Sequence, residues 1–280
     1  MCRDETPKSF DLSRCAIHTQ TNKPWTLAEC IAGYRSIGVN AISVWRHALE
    51  PMGARQAGRM LRDAGMVVPA LVRGGFFPGK RPADRQGAID MNRVCIDEAR
   101  EIGAEMIVLV VGAVPGQPLE EGRKQVAEGI AAILDDALAA NVKLAIEPLH
   151  PMYAADKSCV NRMAEARAVC ERLDHPMLGI AVDAYHVWWD PELRSQIEWA
   201  GKHEKLFGFH VCDWRADTRH LLTDRGLMGD GCIDLRTIRA WVKGAGFDGY
   251  NEVEVFSEHY WAMDQREYLT LIRDRYLQHV

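Results

Sequence analysis

The chain has 280 residues, a net charge of −5 and no basic domain or stripe, which argues against a general nucleic-acid or anionic-membrane binder. Its longest apolar run, residues 106–114, is far shorter than the ~20 residues of a membrane helix, and its N-terminus shows no apolar signal region. Eight cysteines without a C-x-x-C pair indicate reduced side chains, so we expect a cytoplasmic protein.

Short apolar runs alternate with longer amphipathic runs along the whole chain, which is typical of parallel βα units. The predicted strands cover residues 15–19, 40–45, 66–72, 106–111, 142–147, 178–183, 206–210 and 250–255. The predicted helices cover residues 26–37, 54–64, 85–102, 126–138, 161–173, 191–199, 234–245 and 263–277. Eight units predict one domain over residues 1–280, a single (β/α)8 TIM barrel. An open doubly wound sheet is the alternative, but no G-x-G-x-x-G turn follows the first strand.

Polar side chains mark the ends of four successive predicted strands. Glu147, Asp183 and His210 end the fifth, sixth and seventh strands, and Glu254 lies in the eighth. The carboxyl ends of barrel strands form the mouth where catalytic groups sit. Because buried polar groups are costly unless paired or metal-bound, we expect these four side chains to bind one divalent ion. Three carboxylates and one imidazole suit Mn²⁺ or Mg²⁺, with Co²⁺ and Zn²⁺ as alternatives.

The eighth strand offers two glutamates on one face, Glu252 and Glu254, because side chains alternate with a period of two. Glu254 is nearer the mouth, so we assign it to the metal. We expect Glu252 to lie deeper and to pair with a buried cation.

Further candidates lie in the segments that follow the strands. His186 comes three residues after Asp183 and is a candidate for substrate binding or proton transfer, and His150, between prolines, is a candidate base. Each histidine has the alternative of a loop residue bonded to backbone. Arg215 and Arg73 are candidates for binding substrate hydroxyls, with solvated loop arginines as the alternative. The ring of Trp214 suits a sugar face, although simple packing is equally open.

Four segments carry a family resemblance: Ala-Ile-Glu147-Pro-Leu, Val-Asp183-Ala-Tyr-His186, Phe-His210-Val-Cys-Asp213-Trp and the stretch from Gly246 to Phe256. They resemble the xylose isomerase-like barrel superfamily, and within it the sugar phosphate isomerase/epimerase group. The resemblance implies one bound metal ion, with Mn²⁺ as first choice, and a small sugar substrate. It also implies that Glu147 and Glu254 act as acid and base beside a carbonyl, as in ketose 3-epimerases, and that His186 binds substrate.

The loop after the fifth strand departs from the ketose 3-epimerase pattern, because Tyr153 stands near the position of a further glutamate. Its Glu-Pro-Leu-His150 start resembles barrel subunits of C-glycoside deglycosidases, so elimination from a 3-oxo-glycoside, assisted by His150, is the alternative to isomerisation or epimerisation. An endonuclease IV-like repair enzyme fits less well, because Gly226 replaces a zinc-binding histidine. An inactive partner barrel is a further alternative, and a homo-oligomer or a small partner subunit is compatible with the sequence.

Overall fold

The computed structural model describes residues 11–280 and shows eight parallel strands closed into a barrel, with β8 pairing with β1. The strands are β1 (Cys15–His18), β2 (Ala41–Trp45), β3 (Val68–Gly75), β4 (Ala104–Val110), β5 (Lys143–Ile146), β6 (Leu178–Asp183), β7 (Leu206–Val211) and β8 (Asn251–Val253). The predicted (β/α)8 TIM barrel is therefore confirmed, and the open-sheet alternative was wrong.

The helices surround the barrel. They are α1 (Leu27–Ser36), α2 (Ala54–Asp63), α3 (Pro82–Ile102), α4 (Leu119–Ala131), α5 (Leu134–Ala140), α6 (Met163–Leu173), α7 (Ala184–Val187), α8 (Leu193–Lys202), α9 (Leu235–Gly244), α10 (Glu258–Trp261) and α11 (Gln265–His279). Within residues 11–280, none of them combines the length and the apolar character that a membrane crossing requires.

A capping box marks the start of α1, and one predicted helix is divided in two. The Glu29 N–H donates to the Thr26 hydroxyl at 3.3 Å and the Thr26 N–H donates to the Glu29 carboxylate at 2.8 Å, which is the predicted capping box. The helix predicted over residues 126–138 is instead α4 and α5. The break falls at Ala132, whose carbonyl accepts a hydrogen bond from Arg93 of α3 at 3.2 Å.

Strand ends differ from the prediction at three places that matter for the mouth of the barrel. β3 continues to Gly75, with a register shift against β4 between Val72 and Gly74, so Arg73 lies in an irregular part of the strand rather than at its end. Such irregularities re-aim side chains. Glu147 and Glu254 each follow their strand directly, and their N–H groups still donate to Leu109 and Val211 carbonyls at 3.1 and 3.2 Å.

The side chains inside the barrel change from apolar to polar along the barrel axis. A small apolar cluster fills one layer of the interior and consists of Ala70, Val72, Met106, Val108, Ala145 and Ala181. Toward the carboxyl ends of the strands the buried side chains are polar: His18, Ser43, Glu147, Asp183, His210, Glu252 and Glu254. Since buried charges need partners or a metal, this polar layer is where a site is expected.

Candidate metal centre

Glu147, Asp183, His210 and Glu254 converge at the mouth of the barrel. They come from β5 to β8 in order, all four are buried, and one ligand atom from each lies within 4.8 Å of the others. Strand register places them together, because His210 pairs with Asp183 on one side and with Glu252 on the other. Glu254 lies two residues beyond Glu252 and therefore on the same face, one layer nearer the mouth.

The backbone around Glu254 is held by the segment that follows β1 as well as by β7. The Thr21 hydroxyl donates to the Val253 carbonyl at 3.0 Å and accepts from the Val255 N–H at 3.1 Å. Glu254 lies between these two bonds, so closure of the barrel fixes its position. The last candidate ligand thus depends on contacts with the segment that follows the first strand.

The side-chain atoms of this cluster fit a metal ion. His210 Nδ1 lies 2.8 Å from Glu147 Oε1, and both atoms are buried. An imidazole nitrogen and a carboxylate oxygen at this distance either share a proton or bind a common cation. Three carboxylates and one imidazole form a mainly hard donor set of the kind that divalent ions bind. The residues present can therefore hold a single divalent cation.

The charges in the cluster perturb its titration. Burial alone would lower the pKa of His210, but the negative charges of Glu252, Glu147 and Glu254 outweigh burial and raise that pKa to about 10. Burial raises the pKa of Asp183 to about 7, against the opposing effect of Arg225. Without a metal, both side chains therefore hold protons near neutral pH that a cation has to displace.

Arg225 is a buried cation in the centre of the site that the sequence reasoning missed. Its Nη1 lies 3.0 Å from Glu254 Oε2 and 3.4 Å from Asp183 Oδ2. Its guanidinium also lies 4.3 Å from the centre of the Tyr185 ring and 4.7 Å from that of Phe256. Arg225 lies in the middle of the long loop after β7 and not at a strand end, so its position in the sequence does not separate it from an ordinary loop arginine.

His18 was also missed, and the sequence did contain a signal for it. It is the last residue of β1, whereas the prediction ended that strand at Thr19. Its Nε2 lies 3.3 Å from Glu252 and its Nδ1 lies 3.0 Å from Glu254. The Ser43 hydroxyl also donates to Glu252. Glu252 is thus deeper than Glu254, beside a buried basic side chain.

Contacts of its two ring nitrogens fix the orientation of the His186 side chain. The His150 N–H donates to His186 Nδ1 at 3.2 Å, so the ring proton of neutral His186 is on Nε2. Burial, reinforced by the Arg225 charge, lowers the pKa of His186 well below its usual value, so the ring is neutral. Nε2 lies 3.5 Å from Asp183 Oδ2 and 3.3 Å from Arg225 Nη2. The Nε2 side of the His186 ring therefore faces the metal cluster.

A small cavity lies over the cluster. It measures about 160 Å³, and Glu147, Glu254, His186, Arg225 and Arg73 are among its lining residues. We refer to it as the catalytic cavity. The loop after β7 closes one side of it, because the hydroxyls of Tyr153 and Tyr185 both donate to the Leu221 carbonyl, at 2.9 and 3.1 Å.

Three predicted site residues lie outside the wall of this cavity. His150 Nδ1 accepts a hydrogen bond from the Met152 N–H at 3.2 Å, and the His150 ring packs 4.9 Å from Trp214. Trp214 in turn stacks on Tyr185 with ring centres 4.8 Å apart. Arg215 lies 3.4 Å from Asp217, near the surface. The structure thus brings His186 and Arg73 to the four candidate ligands but places His150, Trp214 and Arg215 farther out.

The fold and the cluster define a (β/α)8 barrel with a candidate metal centre at the carboxyl ends of its strands. Residues 31–274 match the xylose isomerase-like TIM barrel family, and the chain belongs to that family. No curated protein matches the chain significantly.

Three solved structures illustrate the relationship. The protein SMc04130 from Sinorhizobium meliloti 1021 is 44% identical, with 96% of this chain and 99% of that chain covered and a TM-score of 0.93. IolI with a bound zinc atom is 20% identical over 95% of this chain and 97% of that chain, with a TM-score of 0.82. The 3-keto-D-glucoside 4-epimerase YcjR from E. coli is 16% identical, with coverages of 93% and 99% and a TM-score of 0.74. The latter two share the fold.

Proposed function

We propose that the protein is a divalent-metal-dependent sugar isomerase or epimerase that moves a proton at a carbon beside the carbonyl of a keto- or oxo-sugar. The observation that carries the proposal is the placement of Glu147 and Glu254, which belong to the candidate ligand cluster and also line the catalytic cavity. The IolI structure contains zinc and YcjR is named as an epimerase of a keto-glucoside, which supports this class of reaction.

Glu147, Asp183, His210 and Glu254 would hold the ion, and we propose Mn²⁺ as first choice. A bound divalent ion would supply Lewis-acid polarisation of the carbonyl, which contributes several kcal/mol to such reactions.

The contacts of the two glutamates suggest different roles in proton transfer. Glu147 lines the catalytic cavity, and we assign to it the removal of the proton from the carbon. Both oxygens of Glu254 have basic neighbours, since His18 Nδ1 and Arg225 Nη1 each lie 3.0 Å from one of them. We assign Glu254 as the second acid–base group, whose negative charge Arg225 balances.

His186 completes this proposal as a hydrogen-bond donor. When the proton leaves the carbon, its electron pair moves toward the carbonyl, whose oxygen becomes negative. The Nε2–H of His186 is directed at the metal cluster and can donate to that oxygen. The position of His150 weighs against the elimination alternative, because one ring nitrogen is engaged by Met152 and the residue does not line the catalytic cavity.

The test is hydrogen exchange in D₂O. The Mn²⁺-loaded protein is incubated with a panel of free ketoses and 3-oxo-sugars, and NMR records the loss of C–H signals next to the carbonyl. Glu147→Gln should lower the exchange rate by about 10²–10⁴-fold at saturating Mn²⁺. Glu105→Gln, an exposed residue near the start of β4, is the matched control.

Metal analysis of both variants separates loss of the ion from loss of the base. A Glu147→Gln protein that holds Mn²⁺ and still exchanges at the original rate would refute the assigned role. A wild-type protein that binds Mn²⁺ and exchanges none of the sugars would remove the proposed reaction class.

A further inference from the structure

A second cavity adjoins the catalytic cavity. It measures about 400 Å³ and lies between the ends of β2 and β3 and the helix α3. Trp45, Val72 and Arg73 line both cavities, so the two spaces share a wall. We call it the outer cavity.

The sizes of the two spaces indicate a ligand that extends beyond the metal cluster. Sites for small molecules usually enclose about 300–1,000 Å³. The catalytic cavity, at about 160 Å³, lies below that range. With the outer cavity of about 400 Å³ included, the total falls within it. A ligand larger than the catalytic cavity would extend past the residues that the two cavities share, Trp45, Val72 and Arg73.

The far side of the outer cavity is apolar and exposed. Phe76 is 41% exposed and Met91 is 50% exposed, although both are large hydrophobic side chains. Phe76 follows β3 with a φ of 56°, a conformation that is unusual for a bulky residue, and its N–H donates to the Val110 carbonyl at 2.9 Å. The backbone thus holds an aromatic ring toward the cavity and away from the core.

The polar groups around the outer cavity are mostly engaged. Arg46 Nε lies 2.6 Å from Glu98, and the Asn92 amide both donates to and accepts from the backbone of Gly75. Arg73 and His47 are the exceptions, since their exposed side chains form no ion pair or hydrogen bond with residues 11–280. The Arg73 guanidinium lies 4.7 Å from the Phe76 ring centre. An unpaired donor at the shared wall can bind the polar junction of a two-part ligand.

Building on the proposed function, we propose that the substrate is a glycoside with an aromatic or similarly apolar second group. The reacting sugar occupies the catalytic cavity, and the second group packs in the outer cavity against Trp45, Phe76 and Met91. Arg73 donates to oxygens at the linkage between the two parts. A free monosaccharide would leave the outer cavity and its exposed rings without a partner.

The test compares phenyl and methyl 3-oxo-β-glucosides, the matching 3-oxo-galactosides and the free 3-oxo-sugars, by isothermal titration into Mn²⁺-loaded protein. We expect the phenyl glycosides to bind at least tenfold more tightly than the methyl glycosides. Met91→Trp fills the outer cavity and should abolish that preference without weakening the free sugars. Val94→Trp, on the same helix and 46% exposed but outside the cavity wall, is the matched control.

Three results would overturn the inference: equal affinity for phenyl and methyl glycosides, a phenyl preference that survives Met91→Trp, or no binding of any glycoside. Exchange of free ketoses in D₂O together with one of these results would leave the proposed function standing. A protein that binds Mn²⁺ but exchanges no sugar would instead remove the proposed function itself.

Discussion

Replacing Arg225 by Met should destabilise the metal-free protein strongly. The guanidinium approaches Glu254 at 3.0 Å and Asp183 at 3.4 Å, and all three side chains are buried. Met keeps apolar bulk between the flanking aromatic rings, so the main change is the loss of one positive charge. Removing one partner of a buried ion pair typically costs about 3–5 kcal/mol. In a chain of this size that corresponds to a fall in Tm of roughly 6–10 °C.

The pH dependence separates this electrostatic loss from a loss of packing. Burial already raises the pKa of Asp183 to about 7, and removal of Arg225 raises it further. A carboxyl with a raised pKa destabilises the folded state as pH rises from its unfolded value through its folded value. The deficit of the variant should therefore be larger at pH 8 than at pH 6. A packing defect would give the same deficit at both values.

Thermal unfolding of Arg225→Met with and without Mn²⁺ is the assay. The ion should raise the Tm of the variant, because it supplies positive charge to the same carboxylates. Arg215→Met is the matched control, since Arg215 lies in the same loop but pairs with acids near the surface, at 3.4 Å from Asp217. Its effect should stay below about 1 kcal/mol. A metal-free Arg225→Met protein within about 2 °C of wild type would refute the reasoning.

Three further predictions concern the metal and the histidines. The pKa of metal-free His210 is raised to about 10, so Mn²⁺ binding at pH 8 should release at least one proton. As the pH rises toward 10, the apparent affinity for Mn²⁺ should increase by up to about tenfold per pH unit. Titration in buffers of different ionisation enthalpy measures the number of protons released, and a value of zero would contradict the prediction. Asp183→Asn should lose stoichiometric Mn²⁺ by elemental analysis, whereas Glu105→Gln should keep it. His186→Gln, which retains a donor, should keep more kcat/KM than His186→Ala, and equal losses would argue against a donor role.

The sequence was sufficient for the barrel and for the four candidate ligands because both depend on periodic signals. Strand cores are apolar, so Asp183 and His210 stood out at strand ends. Alternation of side chains put Glu252 and Glu254 on one face, and nearness to the mouth chose Glu254. The missed residues lack that regularity. His18 required the end of β1 to be known to one residue, and Arg225 reaches the centre from a loop.

The surroundings of two predicted site residues, Arg73 and His150, also could not be read from the sequence. Arg73 was placed at a strand end, but it lies where β3 shifts register against β4, and its surroundings follow from that irregularity. His150 was considered a base because two prolines restrict its loop. Its backbone N–H, rather than its ring, contacts His186.

The two hydrogen bonds of Thr21 to the backbone on either side of Glu254 couple metal binding to the order in which the chain assembles. Glu147, Asp183 and His210 lie at or beside the ends of the adjacent strands β5 to β7. The backbone on either side of Glu254 is fixed in addition by Thr21, once β1 and β8 meet. A partly folded chain that lacks this seam therefore presents an incomplete site with weaker affinity. Binding of the ion during refolding should coincide with closure of the barrel at this seam. A Thr21→Val variant, which lacks both hydroxyl hydrogen bonds, should bind the ion more weakly while it retains its secondary structure.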